Sequence, residues 1–326
     1  MRTIKWGVMS TAYIFERDTA EGMRQAENCE LYAIAGRSME KAQLFKEKYG
    51  FQVAYGSYQE LLDDPLVEAV YIPLPNTMHV EWTIKALQAK KHVLCEKPLA
   101  PTAQQAQQMF DAARENGVWL MEAFAYQHSP FIAAVEQAVK SGVIGDVRYM
   151  ESALITSDYD RSNIRMRRDT LGGCTYDLGV YCASLTQRVM GTEPETIQAV
   201  STFAGDVDMY TTVLMEYENG ARVQFDCGMV LATERNSALD RFQIHGTLGS
   251  IESVNFGFNC PGDLSYRVKT FDGRDEIVTV PTPHNYRLEV EQLGRCITEG
   301  ETPAVTEEFS LALARTIDRV LEAIGY

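Results

Sequence analysis

The chain predicts two α/β domains: a doubly wound parallel sheet followed by an α+β domain on a large, mostly antiparallel sheet. Three observations carry this. Apolar strand runs alternate with amphipathic helices up to about residue 124, which is the signature of a parallel sheet with helices on both faces. Beyond residue 147 apolar and polar residues alternate with a period of two, as in strands with one buried face. Asn219-Gly220 and Asp272-Gly273 are two-residue hairpin signals between such runs. At 326 residues the chain is long enough for two cores, divided here as 1–124 and 125–326.

The elements follow in order. Residues 3–9 read as a strand, Ser10-Thr11-Ala12 as a tight connection, and 13–24 as a helix. Residues 31–35 form a second apolar run, suited to a strand buried on both faces. Ala42, Phe45 and Tyr49 recur at helical spacing, and 67–72 is a further strand. Val80, Ile84 and Leu87 mark one face of a helix, 92–95 reads as the central strand, and Ala106, Met109, Phe110 and Ala113 mark the next helix. Residues 118–121 close the set. In the second half Phe131, Ala134, Val135 and Ala138 mark a helix ended by Gly142 and Gly145. Val223, Phe225 and Cys227 alternate with Arg222, Gln224 and Asp226. Helices near 285–298 and 307–324 are expected to pack back on the molecule.

Charge and cysteine usage exclude several classes. A net charge of −15 leaves no general basic surface for nucleic acid or anionic membranes. No run approaches the roughly 18 apolar residues of a membrane span, and Arg2 and Lys5 are not followed by a signal-type apolar region. The seven cysteines contain no Cys-x-x-Cys and several sit in apolar runs, which points to reduced core thiols and a cytoplasmic protein. The five histidines show no metal-ligand spacing, so no metal is expected.

The chain is organised around His92-Val93-Leu94-Cys95-Glu96-Lys97-Pro98-Leu99-Ala100. Ligands of open parallel sheets bind at the carboxyl ends of strands, so Glu96 and Lys97 stand where working groups belong. Pro98 keeps Lys97 out of the helical region and can fix the turn, including through a cis bond. Taken alone, the pair also fits a solvated strand cap.

A dinucleotide would lie on the first turn, Ser10, Thr11, Ala12, Tyr13 and Ile14, at a helix N-terminus. The three positions usually held by glycine are Ser10, Ala12 and Phe15. Two are small, but Phe15 is bulky where the helix should pack closely. After the second strand come Gly36-Arg37-Ser38 and then Lys41, rather than the acid that binds a ribose 2′-hydroxyl. A guanidinium pairs with a 2′-phosphate, which favours NADP(H) over NAD(H). Pro73-Leu74-Pro75-Asn76 holds the next strand end rigid, where Leu74, Pro75 and Asn76 can flank a nicotinamide, Asn76 can cap the following helix, and His79 lies in its first turn.

Gly172-Gly173 opens a helix carrying Asp177 and Tyr181 four residues apart, hence on one face. A Lys⁺ beside a phenol favours its ionised form. A Lys97–Tyr181 pair can then exchange a proton with a substrate hydroxyl, with Asp177 holding substrate or tuning Lys97.

Together these pieces resemble the glucose–fructose oxidoreductase/inositol dehydrogenase family (Gfo/Idh/MocA) over essentially the full length. The specific matches are Glu96-Lys97-Pro98, Pro73-Leu74-Pro75-Asn76, and Gly172-Gly173 followed by Asp177. Tyr181, Arg37 and Ser38 are most similar to the branch of NADP-dependent dihydrodiol and D-xylose dehydrogenases. The resemblance implies an N-terminal Rossmann domain and a C-terminal domain whose open sheet forms the contact of a homodimer or higher homo-oligomer. It implies Lys97 and Tyr181 as proton-transfer residues with Asp177 beside them. Arg165, in Asn163-Ile164-Arg165, matches a loop that closes over cofactor and substrate; Cys174-Thr175 departs from the family's usual Gly-Ala. The expected activity is NADP(H)-dependent hydride transfer at a secondary alcohol or hemiacetal of a sugar or cyclic diol. Two alternatives stay open: a non-catalytic dinucleotide sensor and an NAD-assisted glycoside hydrolase.

Overall fold

The computed structural model describes residues 2–157, 159–231 and 238–326. It forms two compact units. One comprises the chain up to His128 together with Pro283–Leu311, and the other comprises Ser129–Thr282 and Ala312–Tyr326. This differs from a single division after residue 124.

The first unit is a six-stranded, all-parallel sheet of β1 (Ile4–Met9), β2 (Cys29–Ala35), β3 (Val53–Tyr55), β4 (Ala69–Ile72), β5 (His92–Glu96) and β6 (Leu120–Ala123), in the order β3-β2-β1-β4-β5-β6. The strands expected near 31–35, 67–72 and 92–95 are therefore present, but β5 is next to the sheet edge and β1 and β4 are central. Ile4, Trp6, Val8 and Met9 of β1 are fully buried, as are Val93, Leu94 and Cys95 of β5. Apolar side chains on both faces of these strands explain why they read as continuous runs.

Between the strands lie α1 (Ala20–Gln25), α2 (Met39–Tyr49), α3 (Tyr58–Asp63), α4 (His79–Gln88) and α5 (Ala103–Asn116). A π-helical turn, Phe15–Thr19, leads into α1. Thr102 caps α5 and Ser57 begins α3 in a reciprocal capping box with Glu60.

The eight-stranded sheet of the second unit contains β7 (Val147–Thr156), β8 (Thr196–Ala204), β9 (Val207–Glu216), β10 (Arg222–Met229), β11 (Ala238–Gly246), β12 (Gly249–Asn255), β13 (Gly262–Thr270) and β14 (Asp275–Thr282). Its order is β14-β13-β12-β11-β7-β10-β9-β8. Only the β7–β10 pair is parallel, so the sheet is mostly antiparallel. Asn219-Gly220 and Asp272-Gly273 do fall in the β9–β10 and β13–β14 hairpins, but the connections, 217–221 and 271–274, are longer than the two-residue turns expected. Helices α6 (Pro130–Lys140) and α7 (Val180–Met190) pack on this sheet, α6 against β13 and β14 and α7 against β7 and β10.

Two helices remain, α8 (Asn285–Glu299) and α9 (Glu307–Ile324). Helix α8 packs on α1, β2 and β5, which is why 283–311 belongs to the first unit. The contact is close: a Cβ on Gly22 would stand 2.7 Å from Tyr286 Cβ and 2.8 Å from the Arg287 amide nitrogen. Buried Val290 and Leu293 of α8 supply apolar area, and Asn28 donates to the Glu291 carbonyl at 2.8 Å. All seven cysteines are free thiols. No described helix is long and apolar enough to cross a membrane.

Candidate active site

In the first unit the expected residues gather at the carboxyl ends of β1, β2, β4 and β5. The chain leaves β1 through Ser10 and enters the helix at Tyr13. Phe15 is fully buried and packs 5.2 Å from the Tyr49 ring and 5.8 Å from that of Phe51, with Phe45 at 6.3 Å. Its bulk is thus absorbed by an aromatic cluster with α2. Thr11 and Ala12 remain part-exposed, and Tyr13 is exposed.

Gly36 brings the end of β2 against this turn, because a Cβ there would lie 3.3 Å from Thr11 Cγ2. Arg37 is exposed beside it, as is Lys41. The Ser38 hydroxyl accepts the Lys41 amide as the N-cap of α2. Sequence reading missed Tyr58, whose phenol interacts with Ser10 and the Arg37 charge and whose ring meets Trp82 edge-on at 5.1 Å. Burial holds that phenol above its ordinary range. The Ser57–Glu60 capping box is the signal that marks its position.

One expectation after β4 is corrected. Asn76 opens a short 3₁₀ turn, Asn76–Met78, that has no side-chain cap; Pro75 stands at the cap position. Its pyrrolidine nitrogen and fixed φ suit that place without a side-chain oxygen. His79, expected among cofactor contacts, is fully buried, with Nδ1 2.9 Å from the Pro98 carbonyl and Nε2 2.8 Å from the Leu74 carbonyl. It ties together the loops after β4 and β5. Burial lowers its pKa, and the two carbonyl contacts, which favour a proton on each ring nitrogen, oppose that shift.

Lys97 is half-buried at the end of β5, and the Lys97–Pro98 bond is cis. Glu96 is buried; it receives the Tyr71 hydroxyl at 2.5 Å and the Lys97 amide. Glu122 of β6, also buried, receives the Leu99 amide at 2.9 Å. Burial raises both carboxyls, Glu122 to about 7, while the Lys97 charge opposes the shift. Buried Glu289 of α8 has no partner for either oxygen among the described residues, and burial followed by repulsion from Glu96 pushes it well above the carboxylate range. Neither Glu122 nor Glu289 is apparent in the sequence, because an acid in an apolar run reads as a solvated position.

In the second unit, Asn163 caps a 3₁₀ turn, Ile164–Met166, by accepting the Arg165 amide. Arg165 Nε lies 2.6 Å from Asp177 Oδ2, in an ion pair largely removed from solvent. Gly172 and Gly173 are required by close approach. A Cβ on Gly172 would meet the Arg165 carbonyl oxygen at 2.4 Å, and one on Gly173, at φ +100°, would meet Asp208 Oδ1 at 1.8 Å. Asp208 is fully buried and accepts the Thr175 amide at 2.7 Å and the Cys174 thiol at 3.1 Å. Cys174 and Thr175 are therefore built into the helix start.

That start is a π-helical turn, Thr175–Gly179, so Asp177 and Tyr181 are not in ordinary α-helical register. Tyr181 is part-exposed on α7; Asn259 Nδ2 donates to its hydroxyl at 3.1 Å, and Phe258 packs at 5.4 Å. Asn259 carried no sequence signal, being a single polar residue in a loop. Among the described residues no group of three or more metal-ligating side chains is present.

The parallel sheet, whose strand ends are the usual place for a nucleotide, is joined in one chain to a large antiparallel sheet, a two-domain α/β architecture. Residues 4–124 match the GFO/IDH/MocA oxidoreductase family, NAD-binding Rossmann fold, and residues 132–252 match the GFO/IDH/MocA C-terminal domain. The chain belongs to that family. It is 32% identical to a D-xylose 1-dehydrogenase (NADP(+)) of Haloferax volcanii, covering 98% of this chain and 96% of the relative. It is 30% identical to a trans-1,2-dihydrobenzene-1,2-diol dehydrogenase of Danio rerio, covering 99% and 97%. The crystal structure of KijD10, a 3-ketoreductase of Actinomadura kijaniata in complex with NADP and TDP-benzene, superposes with a TM-score of 0.91 at 30% identity, covering 99% of this chain and 98% of that one.

Proposed function

We propose that the protein is an NADP(H)-dependent oxidoreductase acting on a secondary alcohol or hemiacetal of a sugar or cyclic diol. The observation that carries this is Lys97, half-buried at the end of β5 beside the buried carboxyls of Glu96 and Glu122. Similarity to NADP-dependent dehydrogenases and to a reductase crystallised with NADP supports the class.

The residues present fit the cofactor. Gly36 lets the end of β2 close on the first turn, since a Cβ there would stand 3.3 Å from Thr11 Cγ2. The helix entered at Tyr13 offers N-terminal amides to the pyrophosphate. Arg37, with Lys41 and Ser38, takes the 2′-phosphate; Leu74 and Pro75 border the nicotinamide. When bound, NADP⁺ supplies the hydride acceptor and NADPH the donor.

The chain's own part is proton transfer. Tyr181, as phenolate, takes the hydroxyl proton while the substrate carbon is oxidised, and as phenol returns it in reduction. The Lys97 ammonium favours the phenolate and the developing alkoxide. Where ionised, Glu96 and Glu122 attract that ammonium. Asp177, held by Arg165, accepts a second substrate hydroxyl. We further assign the homodimer contact to the eight-stranded sheet, which exposes Val200, Leu214 and Ile277 on β8, β9 and β14. The seven free thiols suit the cytoplasm.

Lys97→Ala and Tyr181→Phe should each lower turnover roughly 10²–10⁴-fold while NADPH binding persists. Full turnover in both variants would refute the assignment.

A further inference from the structure

We infer that Asn259, presented by a loop that Asp240 pins to the sheet, is a positioning residue that holds and activates the Tyr181 phenol. The inference rests on the proton-transfer role proposed for Tyr181. Residues 256–261 join β12 to β13, and the loop is built tightly. Phe256 packs among Phe131, Phe242 and Phe258, with ring centroids 5.0 to 5.6 Å apart. The Cys260 amide returns to the Gly257 carbonyl at 3.2 Å. Gly257 must lack a side chain, since a Cβ there would stand 2.5 Å from Cys260 Sγ and 3.3 Å from Asp240 Oδ2.

Asp240, on β11, accepts the Phe258 amide at 3.1 Å through Oδ2. This bond fixes the residue immediately before Asn259, and Phe258 itself lies against the Tyr181 ring. The loop therefore reaches the phenol twice, by an apolar face and by an amide. Asn259 Nδ2 is the atom at Tyr181 Oη, whereas its Oδ1 is buried without a partner among the described residues. A donor aimed at the phenol oxygen stabilises the ionised form more than the neutral one. The groups that share this setting in the unit are Asp177 with Arg165 on it, Asp240, Cys260, and Cys182 on α7. Asn259 supplies a neutral donor among them.

The test is an ultraviolet titration of tyrosinate in the full-length protein, with Tyr181→Phe as the subtraction reference, run beside steady-state kinetics over pH. In Asn259→Leu the Tyr181 midpoint should rise by about one to two units, because a hydrogen bond to a charged group is lost. kcat for alcohol oxidation at neutral pH should fall about tenfold or more with little change in KM, and the acidic limb of that profile should move upward. Asn259→Asp, which keeps the size but places an acceptor at the phenol, should raise the midpoint further. Asp240→Asn keeps an acceptor for the Phe258 amide and should behave like the wild type, whereas Asp240→Leu should reproduce Asn259→Leu. A Tyr181 midpoint and a pH profile unchanged in both Asn259 variants would overturn the inference. Full turnover in Tyr181→Phe would instead overturn the role of Tyr181, and the titration would still decide whether Asn259 governs its ionisation.

Discussion

The Tyr71 hydroxyl donates to Glu96 Oε1 at 2.5 Å inside the first unit, and Thr19 Oγ1 stands 2.9 Å from the same hydroxyl. This links the π-helical turn before α1 to the strand end that carries Lys97. Glu96 also receives the Lys97 amide, so the bond is part of what fixes Lys97. Tyr71→Phe should destabilise the protein by about 1.5–3 kcal/mol, the usual loss for a buried hydrogen bond to a charged group. Urea denaturation checks this, and a variant as stable as wild type would show that the bond contributes nothing.

Glu122 gives stability a pH dependence of definite sign. Its folded pKa is raised from 4.5 to about 7 by burial. The folded protein therefore holds this proton more tightly than the unfolded chain does. The contribution is full below about pH 4.5 and is lost as pH rises toward 7, by roughly 3 kcal/mol in total. Replacing Glu122 by Gln should remove it. Glu122→Gln resembles the protonated side chain, so its unfolding free energy should lie near that of wild type at pH 5 and exceed it increasingly as pH rises to 8; parallel curves would contradict the shift.

His79 should matter to cofactor affinity without touching the cofactor. It bridges the Leu74 and Pro98 carbonyls from a fully buried position. His79→Leu should cost roughly 1–3 kcal/mol of stability, because buried carbonyls lose their partner. It should also weaken NADPH binding measured by calorimetry, since Leu74 and Lys97 stand on the two loops it joins. Unchanged affinity in a folded variant would assign His79 to stability alone.

Arg165 and Asp177 form an ion pair largely removed from solvent, with Asp177 four residues before Tyr181. Arg165→Ala should raise KM for substrate more than it lowers kcat, because it frees Asp177 rather than removing the proton-transfer group. A fall in kcat alone, with KM unchanged, would place Arg165 in the chemistry itself.

Much of this architecture was legible in the sequence because burial leaves a period. Fully buried strands such as β1 and β5 read as apolar runs, and the two Asx-Gly turns marked their hairpins. β3 was invisible, since its three residues are only half-buried. The return of α8 to the first unit was not legible either: an amphipathic helix shows that it has an apolar face but not what covers it. The chemistry-bearing motifs lay where strand ends predict. What escaped were residues whose burial contradicts their type: Glu122 and Glu289 are carboxylic acids almost or fully buried, and nothing in the sequence around His79 signals its burial. Asn259 escaped for another reason, since only tertiary folding brings it to Tyr181, 78 residues away in sequence.

The central claim is NADP-dependent oxidoreduction, and the most direct measurement is calorimetric titration of NADPH and NADH side by side on wild type and Arg37→Asp. Wild type should bind NADPH tightly and NADH much more weakly. Arg37→Asp should lose most of that preference, because a carboxylate repels the 2′-phosphate that the guanidinium pairs with. Equal or stronger binding of NADH by wild type, or binding of neither nucleotide, would contradict the account.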